Sequence, residues 1–192
     1  MTTVANPARV RVPGRLAFPA LFKPKAVEKG GKEKYSAAIA IDPANKAVVA
    51  ALDAAVKHVA NAKWGEKAPT ILAELAKKGK IGFKKEPRTN ADGDVYDGFE
   101  GMFSLNASSD AQPTVLDADK TPLGEKSGRP YGGCYVVMNV EAWAQDNDFG
   151  RRVNFTLRGV QFAKAGDAFG GGAPASEDEF EDISTTEEDL VG

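Results

Sequence analysis

Basic residues crowd one short stretch of the sequence, KGKIGFKKEPR. Lys80, Lys84, Lys85 and Arg88 lie there close to Phe83. Because Lys and Arg side chains neutralise phosphates, this density predicts a groove that follows a nucleic-acid backbone. A solvated helix end followed by a strand would explain the same cluster, and the stretch alone does not separate the two interpretations.

A second mixture of arginines and aromatic rings lies in the stretches YGGCYVVMNVEAWA and FGRRVNFTLRGVQFAK, which alternate as strands do. Successive side chains of a strand point to opposite faces. The face predicted to point into the core consists of Cys134, Val136, Met138, Val140, Val153, Phe155 and Leu157. The opposite face consists of Tyr135, Asn139, Trp143, Arg152, Asn154, Thr156 and Arg158. Exposed rings stack on bases at about 1–3 kcal/mol each, so this face predicts binding of single-stranded nucleic acid. The alternative is a solvated sheet face with its Trp packed under a loop.

Together these stretches give the candidate nucleic-acid-binding residues. They are Lys80, Lys84, Lys85, Arg88, Tyr131, Tyr135, Trp143, Arg151, Arg152 and Arg158.

Signatures of enzymes are mostly missing from the sequence. There is no phosphate-binding loop, and the only histidine, His58, lies on an alanine-rich helix without a nucleophile motif. One Cys and one His make a zinc site of these residues implausible. Asp92, Asp94 and Asp97 have a spacing that suits Mg²⁺ or Ca²⁺, but the expected glutamate ligand is missing, which favours an Asp- and Gly-rich turn. We therefore expect a protein without catalytic activity, cofactor or obligatory metal.

Acidic residues are concentrated at the C-terminal end. Nine of the 27 Asp and Glu residues lie from Asp167 onward, where there is no Lys or Arg, which leaves 18 acidic against 25 basic residues before that point. Residues 1–166 therefore carry a formal charge of +7 and residues 167–192 a charge of −9. This asymmetry predicts a polyanion-binding domain over 1–166 and, since the end lacks a long apolar run, a disordered acidic interaction tail over 167–192.

Several elements must position these residues. RVRVPGRLAF predicts a strand broken at Pro13 at a sheet edge, paired in a hairpin with the strand after Gly30-Gly31. Asp42 is the predicted cap of a first helix, and a second runs from about Pro69 to Gly79. A single cysteine, no apolar leader and no membrane-length apolar run predict a soluble intracellular protein.

The stretches YGGCYVVMNVEAW and FGRRVNFTLRGVQFAKAGDAFGGG resemble the single-stranded-DNA-binding proteins of tailed bacteriophages. The resemblance implies an OB-fold, a mainly β Greek-key barrel with inserted helices. It also implies non-enzymatic, largely sequence-independent binding and protection of single-stranded DNA during phage replication, recombination and repair, in the cytoplasm of the infected bacterium.

The resemblance further implies that the acidic tail competes with DNA and recruits phage or host polymerase, helicase or primase. The tail residues predicted to bind such partners are Glu177, Asp178, Glu179, Phe180, Glu181, Asp182, Glu187, Glu188 and Asp189. Tails of this type often end in an aromatic residue, whereas this chain ends Leu190-Val191-Gly192. The sequence leaves open a homodimer, a preference for RNA, a phage structural or assembly role for the protein, and a metal-dependent nuclease using the acids between Asp92 and Glu100.

Overall fold

A computed structural model describes residues 5–26 and 28–170, which form a β-barrel with two helices packed on it. In chain order the elements are β1 (Arg9–Ala26), β2 (Glu33–Ile41), α1 (Lys46–Trp64), a 3₁₀ turn (Gly65–Lys67), α2 (Ala68–Lys77), β3 (Phe83–Lys84), β4 (Phe103–Ser109), β5 (Thr114–Leu116), a second 3₁₀ turn (Glu125–Ser127), β6 (Tyr135–Asn147) and β7 (Gly150–Lys164). No helix within these ranges is long and apolar enough to cross a membrane.

Five strands close the barrel in the order β1, β2, β4, β7, β6 and back to β1. The closing contact is parallel, with Ser108 of β4 opposite Thr156 of β7, whereas the other four pairings are antiparallel. The short strands β3 and β5 extend the sheet beside β4 and β7. This is an OB-fold barrel with helices inserted between β2 and β4, and the prediction of fold class is confirmed.

The first strand is not an edge strand, although its proline predicted an edge position. β1 lies between β2 and β6, and its hairpin with β2 is as predicted. Pro13 is tolerated because pairing with β2 begins only at Arg15, so β1 has a single neighbouring strand at the proline. Next to it Gly14 passes close to β2: a Cβ atom there would lie 2.2 Å from the carbonyl oxygen of Ala40.

The core fills the barrel with the side chains that alternation assigned to it. The side chains of the last two strands that were predicted to point inward are all at most 2% exposed. They are Cys134, just before β6, Val136, Met138 and Val140 on β6, and Val153, Phe155 and Leu157 on β7. They pack against Ile39 and Ile41 of β2. The opposite faces of β6 and β7 are thereby left on the outside of the barrel, as predicted.

The two helices cover the barrel through Leu52, Ala55 and Val56 of α1 and Ile71 and Leu75 of α2. The second helix begins one residue before the predicted Pro69 and ends at Lys77, two residues before Gly79, whose positive φ angle follows the helix as predicted.

The first helix begins later than predicted. The side chain of Asp42 accepts a hydrogen bond from the backbone of Ala44 at 2.8 Å, whereas Asn45 caps α1 by accepting from Val48. Asp and Asn are equally good caps, so their order along the chain did not identify the one used.

The segment after β7 stays on the barrel beyond the predicted domain boundary. Arg15 donates a hydrogen bond to the carbonyl oxygen of Asp167 at 2.8 Å, and the backbone N–H of Phe169 donates to Gly132 at 3.0 Å. The ring of Phe169 packs against the buried Phe99. Residues 167–170 therefore contact the barrel, while the partner-binding residues predicted between Glu177 and Asp189 lie outside the described residues.

Candidate nucleic-acid interface

Two adjoining clefts cross the outside of the barrel over β2, β4, β7 and the far end of β6. They share Ser108, Arg152 and Asn154, and their volumes are about 340 and about 590 Å³. The strand register explains why these residues meet: Ser108 lies opposite Ser36 on β2 and Thr156 on β7. We call the two clefts together the cationic groove.

Four of the predicted basic residues line the cationic groove: Lys80, Lys84, Arg88 and Arg152. None of the four forms an ion pair with any residue in the described ranges. Their positive charge is therefore not offset by a direct carboxylate contact, and Ser and Asn side chains lie around it. A fifth cation, Lys34, lines the second cleft together with Asp110, its ion-pair partner at 3.8 Å.

The other three predicted cations lie outside the groove, and each has an acidic partner. Lys85 contacts Asp53 of α1 at 2.7 Å, and Arg151 contacts Asp146 at 3.3 Å. Arg158 pairs with Glu141, which also binds Arg9.

The pKa values of Asp146 and Glu141 are lowered by their partners. Hydrogen bonds from Trp64 and Arg151 lower the pKa of Asp146. Burial raises the pKa of Glu141, but its partners Arg158 and Arg9 lower it by more, so the pKa of this carboxyl is also lowered.

Exposed aromatic rings mark both ends of the groove. Trp143, predicted as a stacking residue, is 43% exposed and lies at one end beside Asn154, its partner across the β6–β7 pairing. Phe18 lies at the other end and is 48% exposed. Phe149, in the turn between β6 and β7, is 90% exposed. Phe149 lines neither cleft, and the sequence did not predict either phenylalanine as a binding residue.

The two predicted tyrosines lie away from the groove, although Tyr135 is 38% exposed. The hydroxyl of Tyr131 donates to the carbonyl oxygen of Gly166 at 2.9 Å, and its ring packs against the core. Tyr135 lies at the end of β6 opposite to Trp143, with Arg15 and Lys164 over its ring. Neither lines the cationic groove.

Arg88 is held in a fixed position at the groove. Its guanidinium donates to the side chain of Asn106 and lies 4.8 Å from the centre of the Phe18 ring. Burial lowers the pKa of this guanidinium, but an arginine stays protonated at neutral pH. A positive charge is therefore fixed beside an exposed ring, an arrangement that suits a phosphate and its neighbouring base.

The acidic loop before β4 is built as a turn. The side chain of Asn90 accepts hydrogen bonds from the backbone of Asp92 and Asp94, both at 2.9 Å. Within residues 5–26 and 28–170 there is no group of three or more His, Cys, Asp or Glu side chains placed to hold a metal ion.

Comparison with known proteins identifies the family. Residues 10–191 match the family model described as the ssDNA-binding protein of Enterobacter phage Enc34. The chain belongs to this family of phage single-stranded-DNA-binding proteins. It is also 40% identical over 175 residues to the protein p50 of Acyrthosiphon pisum secondary endosymbiont phage 1, covering 91% of this chain and 93% of that protein.

Solved structures of the family's namesake share the fold. The single-stranded DNA-binding protein of bacteriophage Enc34 in complex with ssDNA has a TM-score of 0.70 and 24% identity, covering 85% of this chain and 90% of that one. A second structure of the single-stranded DNA-binding protein from bacteriophage Enc34 has a TM-score of 0.65 and 23% identity, covering 88% of this chain and 87% of that one. At this identity the similarity supports the OB-fold assignment.

Proposed function

We propose that this family member binds single-stranded DNA along the cationic groove, without catalysing a reaction. The observation that carries the proposal is the separation of the predicted cations into two sets. The four predicted cations that line the groove have no acidic partner among the described residues, whereas the three predicted cations outside it are ion-paired. Charges free of protein partners are the ones that gain most from contacting phosphates. The Enc34 relative, whose structure contains ssDNA, has the same fold.

Binding in the groove combines phosphate neutralisation with base stacking. Lys80, Lys84, Arg88 and Arg152 contact the backbone, and bases stack on Trp143 at one end and on Phe18 at the other. Every base has an aromatic face, so stacking gives little sequence preference. The protein then covers and protects whatever single strand it meets.

Its biological setting follows from this activity. We infer a role in phage DNA replication, recombination and repair, in the cytoplasm of the infected bacterium, since these processes expose single strands of DNA.

The acidic end of the chain serves as the contact for replication partners such as a polymerase, helicase or primase. Its charge opposes that of the domain, so the same end competes with DNA for the groove.

A titration of labelled oligo-dT with the full chain tests the proposal. Affinity should fall linearly with salt on a log–log scale, at about 0.7 per phosphate contacted, and the strand should stay intact with Mg²⁺ present. Affinity that does not change with salt would refute groove binding and favour a structural or assembly role. Cleavage of the strand on addition of Mg²⁺ would instead point to a nuclease.

A further inference from the structure

A cavity of about 470 Å³ lies next to the cationic groove, on the far side of the Phe18 ring. Ala17 and Phe18 of β1 form one wall, Tyr96 and Phe99 of the loop before β4 form another, and Phe169 forms a third. Phe99 is fully buried against the outside of β1 and β2, so the loop that carries Tyr96 is anchored to the barrel. The cavity is therefore a formed feature with mostly apolar walls.

Phe18 separates the cavity from the groove and is held there at a cost in backbone strain. Its φ angle is 49°, which is rare for an aromatic residue, and it lies where the pairing of β1 with β2 shifts register between Ala17 and Ala20. The ring of Tyr96 meets it edge-on at 4.9 Å between centroids. Strained residues of this kind cluster at ligand sites, and the ring of Phe18 lines both the groove and the cavity.

The groove and the cavity, which lie on the two sides of the Phe18 ring, are lined by residues of opposite charge. Lys84 and Arg88 line the groove side, whereas Asp97 is the only charged residue lining the cavity in the part of the chain that the structure describes. A phosphate is attracted to the first side and repelled from the second. A base is the part of a DNA strand that suits an apolar, aromatic cavity, since it has no charge and gains from stacking.

We infer that the cavity binds one nucleobase of the strand held in the groove, and that Asp97 makes it prefer a base with an exocyclic amino group. This inference rests on the proposed function. An ionised carboxylate only accepts hydrogen bonds, so it pairs with the N4 amino group of cytosine. Thymine has a carbonyl oxygen at the equivalent position, which the carboxylate repels.

The test compares oligo-dC with oligo-dT of equal length, using the full chain and its Asp97→Asn variant. An asparagine side chain both donates and accepts, so it serves either base. We expect Asp97→Asn to lower the ratio of dC affinity to dT affinity about fivefold, near the low end of the discrimination that a base contact provides, because the site is open to water. The matched control is Asp94→Asn, which removes the same charge from the same loop outside the cavity.

A ratio that is unchanged in Asp97→Asn, while both oligonucleotides still bind, would overturn the inference and leave groove binding intact. It would mean that Asp97 does not discriminate cytosine from thymine. An equal fall of the ratio in Asp94→Asn would also overturn it, since the effect would then be one of general charge. Failure of the unaltered chain to bind either oligonucleotide would refute the proposed function itself.

Discussion

Adjacent arginines at the start of β7 provide the sharpest test of the groove. Arg152 lines both clefts and has no ion pair among the described residues, whereas Arg151 is paired with Asp146 beside the helices. Arg152→Gln removes a groove charge with little change of size. Arg151→Gln is the matched control, since it makes the same chemical change one residue away.

The expected magnitude follows from counterion release. The four groove cations without an ion pair among the described residues predict that the logarithm of affinity for oligo-dT falls with the logarithm of salt concentration at a slope of about −3. Loss of the Arg152 contact should reduce the steepness by about 0.7, which corresponds to roughly fivefold weaker binding near 0.1 M salt. The deficit should shrink as salt rises. Arg151→Gln should change affinity less than about twofold, because its ion pair is exposed and outside the groove.

Fluorescence anisotropy with labelled oligo-dT, between about 50 and about 200 mM salt, measures both quantities. Thermal unfolding of each variant establishes that the fold is intact. Equal losses in the two variants would refute the assignment of the groove. So would a loss in Arg152→Gln that is the same at every salt concentration, because that result would rule out phosphate neutralisation.

Three further predictions concern stacking, strand packing and the acidic end. Trp143→Ala should weaken oligo-dT binding by about 1–3 kcal/mol in the same titration, because it removes a stacking ring from the groove. Tyr135→Ala, at the other end of β6, should leave the affinity nearly unchanged, and equal losses would contradict the assignment of the groove. Gly14→Ala should lower the free energy of unfolding, measured by denaturant titration, by about 1–3 kcal/mol because its Cβ would collide with β2. Gly124→Ala should leave that free energy unchanged, since no atom lies within 4 Å of its Cβ position. Ending the chain at Gly170 removes eight of nine carboxylates and should tighten DNA binding most at low salt; unchanged low-salt affinity would exclude competition.

Much of the fold could be read from local patterns. Alternation over β6 and β7 assigned Cys134 and Phe155 to the core and Trp143 to the outside, because the strand period is a property of neighbouring residues. Pro69 and Gly79 bounded α2 for a similar reason, since each residue limits its own backbone angles. Where two local signals were equivalent, as at the start of α1, the sequence did not choose between them.

The amino-acid sequence by itself determined which residues are charged, which face of each late strand is apolar and where the negative charge of the chain is concentrated. The tertiary structure alone decided which charges are free to bind a ligand. Lys85 is neutralised by Asp53, from a helix far away in the sequence, while Lys84 next to it is not. Phe18 became a groove residue only through the irregular pairing of β1 with β2. Ion pairs and strand register join distant segments, so no local pattern contains them.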